Sequence, residues 1–432
     1  MPSDSFRIGF VSTRLAGADG VSLEATKWEH VLTRLGHDCF YFAGESDRPP
    51  ERTRVVPAAH FAHPNIRAIN SDLFGGQLAR SPQTSAEVHD LRIHLKRELL
   101  RFISEYDIQV LKVENALSLP MNVPLGLALT ELIAETNIPT VAHHHDFGWE
   151  RSRFSINGAE DYLHAAFPPA MPNICHVVIN TYAATELARR TAQRSTVIPN
   201  VMDFDNPPPE PGDVAPRLRS SLGLDDGELL LLQPTRVVPR KCIERSIELT
   251  HRLGRPARLV VTHDSGDEGD EYRQYLADYA QTVGVRLLFA AEYLDHRVNG
   301  TADGERFRLA DAYHSSHLVT YPSRVEGFGN AFLEAIYYRR PLVMSAYDIF
   351  RTDIRPKGFR VVCMQDFITP ATISETCALL DDGAAVESIT THNYELARRY
   401  YSYSVLRDRL IMLFDQYQSR LGRRFSAGSY GG

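Results

Sequence analysis

The sequence predicts an α/β protein of two domains in tandem. Three observations carry this expectation. Short apolar β-rich runs alternate with helix-like segments along nearly the whole chain, a proline- and acid-rich stretch, "DFDNPPPEPGDVAP", interrupts the alternation near its middle, and the alternation then restarts. The apolar runs suit a mainly parallel sheet covered on both faces. A chain of 432 residues with 43% hydrophobic content is long enough for two such cores.

Taken in order, "FRIGFVST" reads as a buried strand, and "GVSLEATKWEHVLTRLGHDCFYFAG" as a helix, a stop at Gly36 and a second strand. The loop before that helix, "TRLAGADGVS", holds Gly17 and Gly20 but lacks Gly-x-Gly-x-x-Gly spacing, so the expected wrapping is Rossmann-type without a nicotinamide cofactor. "DIQVLKVEN", "IPTVAHHHD", "CHVVINT" and "STVIPNV" continue the first domain, set at 1–205. "ELLLLQPTRV", the helix "SIELTHRLG", then "ARLVVTHD", "VRLLFAAE", "SHLVTYPS" and "RPLVMSA" build the second, 206–400. Residues 401–432 are expected to form a helix packing back toward the first domain, followed by a tail.

Composition excludes several classes. The net charge of -7, from 54 acidic and 47 basic residues without a long run of either sign, argues against a nucleic-acid surface. No apolar run approaches the ~20 residues of a membrane helix, and "MPSDSFRIGFVST" suits a first strand better than a secretory signal. Five cysteines, scattered singly, suggest neither a zinc site nor a disulfide framework. A soluble cytoplasmic protein is expected, with peripheral membrane contact and oligomeric state left open.

Two α/β domains in tandem leave a central cleft, and ligands of such sheets bind beyond the carboxyl ends of the strands. Three motifs fall there. In "QPTRVVPRKC", Arg236 and Lys241 could clamp a diphosphate and neutralise a leaving phosphate; the alternative is a solvated basic loop. In "PSRVEGFGNAFLEAI", Glu326 follows a strand, Gly327 and Gly329 let the backbone approach a ligand, and Asn330 begins a helix that carries Glu334. An unbroken helix would separate the two carboxylates by roughly 12 Å along its axis; the glycine turn folds that distance back. The alternative is an ordinary βα turn. In "TVAHHHDFGWERSRF", the neighbours His143, His144 and His145 alternate faces, so at most one or two reach a common site. A histidine donating to a sugar hydroxyl is the reading preferred there over a metal site, which lacks the required spacing; the alternative is a structural hydrogen-bonding histidine. The acidic loop "THDSGDEGDEY" likewise lacks a calcium pattern.

In this order the pieces resemble the retaining GT-B glycosyltransferases of family 4. The residues that carry the resemblance are "GVSLEATKWEHVLTRLGH", His145-Asp146, "VIPNVMDFD", "TRVVPRK" and above all "YPSRVEGFGNAFLEAI", and it covers nearly the whole chain. It implies two Rossmann-like α/β/α domains facing a cleft, the first binding an acceptor and the second a nucleotide-sugar donor. Arg236 and Lys241 would bind the donor diphosphate, Glu334 the ribose, and Glu326 the transferred sugar, with Gly327, Phe328, Gly329 and Asn330 completing the cradle. Gly20 would approach the phosphates, and His145, with His144 as the alternative register, would sit beside the transferred sugar. Three departures carry over no family role: "PNVMD" lacks the usual glycine, Cys242 stands where a glycine usually follows the lysine, and "YDIFRTDIRPKGF" replaces a Gly-Gly-x-x-Glu segment.

The implied chemistry is same-face attack by an acceptor hydroxyl on the anomeric carbon, with retention, cations aimed at the leaving diphosphate and neither metal nor cofactor required. The implied partners are a nucleotide sugar and a hydroxyl acceptor. GDP-mannose ranks first as donor and UDP-glucose next, because Glu292 or Asp295 could accept from guanine hydrogens that uracil lacks. His144, Trp28, Trp149, Arg151 and Arg153 are candidates for the acceptor, the arginines allowing a carboxylate or phosphate on it. The rival readings are a nucleotide-sugar epimerase or hydrolase of the same fold and a catalytically silent sugar-binding relative.

Overall fold

The apolar runs form the strands of two wholly parallel sheets, seen in a computed structural model that describes residues 5–17, 19–208, 210, 214–265, 270–295, 307–364 and 367–427, with backbone alone for 214–216, 295 and 416–427. The chain divides into one unit of Met1–Pro199 with Ser404–Gly432 and another of Asn200–Tyr403.

The first unit runs β1 (Arg7–Val11), α1 (Gly20–Arg34), β2 (Asp38–Ala43), β3 (Thr53–Val55), α2 (Pro64–Phe74), α3 (Pro82–Tyr106), β4 (Val110–Glu114), α4 (Val123–Thr136), β5 (Thr140–His144), α5 (Glu160–Ala166), β6 (Ile174–Val178), α6 (Thr181–Thr191) and β7 (Ser195–Val197). Its sheet has the order β3-β2-β1-β4-β5-β6-β7. Strand faces are buried on both sides, which is why their sequences read as continuous apolar runs. β4 breaks that pattern. All five of its residues are buried, yet Lys112 and Glu114 are among them. α1 lays Ala25, Trp28, Val31 and Leu32 into the core and gives way at Gly36, whose φ of +91° is a conformation open to glycine and strained for other residues.

The second unit runs α7 (Val214–Ser221), β8 (Leu229–Gln233), α8 (Ile243–Arg252), β9 (Ala257–Val261), α9 (Glu271–Val283), β10 (Arg286–Phe289), β11 (Leu294–Asp295), β12 (Phe307–Arg308), α10 (Leu309–Ser315), β13 (Leu318–Tyr321), α11 (Asn330–Tyr337), β14 (Leu342–Ser345), β15 (Val362–Met364), α12 (Pro370–Asp381) and α13 (Gly383–Tyr401). Its main sheet has the order β10-β9-β8-β13-β14-β15, and β11 pairs with β12. The chain passes into this unit at Asn200, ahead of the proline-rich stretch, where Met202 N–H donates to Tyr401 O at 2.9 Å. Val201 takes no left-handed backbone there, so the loop does without the glycine usual in the family.

The last helix, α14 (Tyr403–Ala427), belongs to the first unit from Ser404 onward. It buries Leu406, Leu410, Leu413 and Phe414, and the Phe414 ring lies 5.8 Å from Phe6 and 5.3 Å from His37. Among the described residues no helix is long and apolar enough to cross a membrane.

Candidate functional site

In the second sheet β8 lies between β9 and β13, and the chain leaves the neighbours β8 and β13 in opposite directions along the sheet. At such a switch point the loops after the two strands part and leave room for a ligand. Here they carry Arg236 to Lys241 and Pro322 to Gly329. A backbone bond ties them, Arg324 N–H donating to Arg240 O at 3.0 Å.

Across that tie Lys241 forms an ion pair with Glu326 Oε1, and Arg240 Nη1 stands 3.8 Å from Oε2. Both side chains of the close pair are about nine-tenths buried, 11% and 9% exposed. Burial pushes the Glu326 carboxyl up, but Lys241 and Arg240 outweigh it and hold the group below the ordinary carboxylate value. Burial pulls the Lys241 ammonium down, opposed by Glu326. Cys242 keeps the left-handed backbone of the glycine it replaces, φ +50° and ψ +47°, a conformation that strains a side chain by roughly 1–2 kcal/mol.

The Gly-Phe-Gly turn is held from behind by the segment to which sequence comparison assigned no role. From that segment Tyr347 Oη donates to Phe328 O at 2.7 Å, and just before it Ser345 Oγ, at the end of β14, donates to Pro322 O at 2.9 Å. Gly329 has φ +113°, and a Cβ there would come 2.4 Å from Tyr347 Oη. Phe350 and Phe359 pack edge-on against Phe332 of α11. On the same helix Glu334 Oε2 accepts from Tyr313 Oη at 2.7 Å, and Asn330 Oδ1 accepts from Asn200 at 2.7 Å. Thus Lys241, Glu326, Phe328, Gly329, Asn330 and Glu334 belong to one braced framework, with Gly327 exposed at its rim. Arg236 is exposed and donates to Ser265 O at 2.9 Å, so Arg240, not Arg236, joins Lys241 at Glu326. Glu292 is exposed in the turn Ala291–Tyr293, while the Asp295 side chain lies outside the described residues.

In the first unit the strand register sets Glu114 opposite His143. Residues two apart share a face, so Lys112, Glu114, His143 and His145 converge. Glu114 Oε1 meets Lys112 Nζ, while Oε2 lies 2.9 Å from His143 Nδ1 and 3.1 Å from His145 Nε2. Lys112 also lies 4.3 Å from the Trp28 ring centre and 4.9 Å from that of Phe10. Burial pulls Lys112 well below its ordinary value and, with Lys112 and Lys27, lowers His145 to about 3. Glu114, His143 and His145 bring their ligand atoms within 4.8 Å of one another, the spacing of a cation site, and Lys112 supplies a cation to that carboxylate. Asn115, at φ +56°, accepts from His145 N–H at 2.7 Å and donates to Asp146 at 3.0 Å.

Two acceptor candidates are corrected here. His144 lies on the opposite face of β5, 1% exposed and bonded to His176 at 2.9 Å, because adjacent strand residues alternate faces. Trp28 is fully buried against His143, with ring centres 4.6 Å apart. Neither offers a surface to an acceptor. Trp149 stacks on Phe147 at 4.3 Å, Arg151 pairs with Asp146, and Arg153 is exposed over the Phe154 ring. Gly20 opens α1, whose first turn is already capped by Asp19 accepting from the Val21 and Ser22 amides. Sequence reading passed over Lys112 and Glu114; the available signal was two charges on one face of an otherwise apolar run.

The profile of the family described as Glycosyl transferases group 1 matches residues 214–366. A mannosylglucosylglycerate synthase of Thermotoga maritima is 33% identical over 435 residues, covering 93% of this chain and 98% of that protein. Another, of Petrotoga mobilis, is 31% identical over 83% of this chain and 86% of its own length. Among solved structures, the sucrose-phosphate synthase of Thermosynechococcus elongatus superposes with a TM-score of 0.67 at 16% identity, over 96% of this chain and 100% of that one.

Proposed function

Since the chain belongs to the group 1 glycosyltransferases of GT-B fold, we propose that it moves a mannosyl group, with retention, from a nucleotide diphosphate sugar to a hydroxyl of a glucosylglycerate-type acceptor. The observation that carries the donor half is the buried Lys241–Glu326 pair at the β8/β13 switch point, with Arg240 beside it. A diphosphate needs cations at a crevice of this kind, and a sugar needs fixed acceptors for its hydroxyls. In this reading Lys241, Arg236 and Arg240 stabilise the leaving diphosphate, Glu326 positions the sugar and Glu334 meets the ribose. His145 bonds a sugar hydroxyl.

The names of the two relatives support mannose as the transferred group and a glycerate-bearing acceptor. GDP-mannose stays ahead of UDP-glucose as donor. Arg153, an exposed residue over the Phe154 ring, suits an acceptor carboxylate. The cations of the chain itself stand in for a metal, so chelation should leave turnover unchanged. The deciding experiment offers a panel of nucleotide sugars with glucosylglycerate and reads products by mass spectrometry and anomeric NMR. A mannosylated product of retained configuration from GDP-mannose is expected. Inversion would overturn the stereochemical reading, and glucosyl transfer from UDP-glucose alone the choice of donor. Free sugar or epimer without transfer would favour the hydrolase or epimerase.

A further inference from the structure

We infer that Glu114 is a positioning residue that fixes His145 in its Nε2-protonated form, so that the ring presents Nδ1 to a sugar hydroxyl as an acceptor. The inference rests on the proposed role of His145 at a sugar. It reverses the expectation from sequence that the histidine donates.

The geometry supplies each step. An ionised carboxylate only accepts, so the nitrogens that face it carry the protons. Glu114 Oε2 lies 3.1 Å from His145 Nε2 and 2.9 Å from His143 Nδ1, and Oε1 is taken by Lys112. His143 is thereby a donor through Nδ1, and its Nε2 is buried without a hydrogen-bond partner. His145 donates through Nε2 and keeps a lone pair on Nδ1. The His143 side chain is 1% exposed and that of His145 9%, so only the second ring retains a route to a ligand. Its backbone is anchored separately, by the Asn115 amide oxygen. A second partner that selects the tautomer and orientation of a histidine is a general device of functional sites. The groups facing the ring are Glu114, Lys112 and His143, with Lys27 adding its charge. Burial, with the charges of Lys112 and Lys27, keeps the ring neutral against the opposing pull of the Glu114 carboxylate, and in that state Nδ1 can accept.

The unmodified protein decides the first point. Labelled with 15N-histidine and assigned by comparison with His145→Asn, it should show His145 protonated at Nε2 and unprotonated at Nδ1 in long-range 1H–15N correlations. A proton on Nδ1 overturns the inference whatever the activity. Glu114→Gln offers an amide N–H in place of one carboxylate oxygen, and the expected result is a change of the His145 tautomer together with a loss of kcat of roughly 10-fold to 100-fold. Added to His145→Ala, the same change should cost little further. Equal and additive losses in both backgrounds would mean that Glu114 acts elsewhere. If His145→Ala alone keeps full turnover while the tautomer is as stated, the role at the sugar fails and the geometry of the pair stands.

Discussion

Lys241 decides the charge state of Glu326. While it is present the carboxyl is held below its ordinary value, so its contribution to stability is in place above the unfolded value near ~4.3 and is lost as the pH falls through the folded one. In Lys241→Met burial, which raises the group, is opposed only by the Arg240 charge and the Ser323 hydrogen bond, and the sign is expected to reverse. The variant is expected to lose stability as the pH rises through the ordinary carboxylate range, and the acid limb of its kcat/KM profile should move to higher pH. Thermal unfolding across pH and a pH–rate profile check both. At Gly329 the obstacle is steric. A Cβ would meet Tyr347 Oη at 2.4 Å on a backbone of φ +113°, so Gly329→Ala should lower unfolding stability by about 1–3 kcal/mol, read by denaturant titration.

At the scale of elements, Glu326 sits in the turn between β13 and α11 and Glu334 one helical stretch later, braced by different partners, Lys241 and Tyr313. Their removal should therefore differ in kind. Glu326→Gln is expected to lower kcat by roughly 10²-fold or more with donor KM little changed, and Glu334→Gln to raise donor KM about 10-fold with kcat largely kept; steady-state kinetics separates them. The strands that organise this site were legible because a parallel sheet buried on both faces writes each strand as an apolar run. The three-residue edge strands β3 and β15 were not read from the sequence, whereas β7, equally short and also at an edge, was legible within "STVIPNV". The turn was legible for its glycines. Its bracing by Tyr347 and the pairing of Glu114 with His143 were not, since register and tertiary contact decide them. The same alternation of faces removed His144.

For the whole molecule the notable fact is that one unit is built from both ends of the chain. Deleting everything after Tyr403 would strip Leu406, Leu410, Leu413 and Phe414 from the first unit, at about 1.5–3 kcal/mol for each buried side chain, while leaving the sheet of the second intact. The truncated protein should keep the thermal transition of Asn200–Tyr403, and its response to a nucleoside diphosphate, while the transition of the first unit falls or disappears; calorimetry resolves the two. The same arrangement sets an order on the ribosome. Residues 200–403 emerge between the two parts of the first unit, and at ~5–20 residues per second their synthesis takes about 10–40 s. For that interval the surface of Phe6 and His37 that Phe414 will cover stays open on a nascent chain. The half of the enzyme that is made first is the half completed last, and its exposure to chaperones is set by how fast the other half is translated.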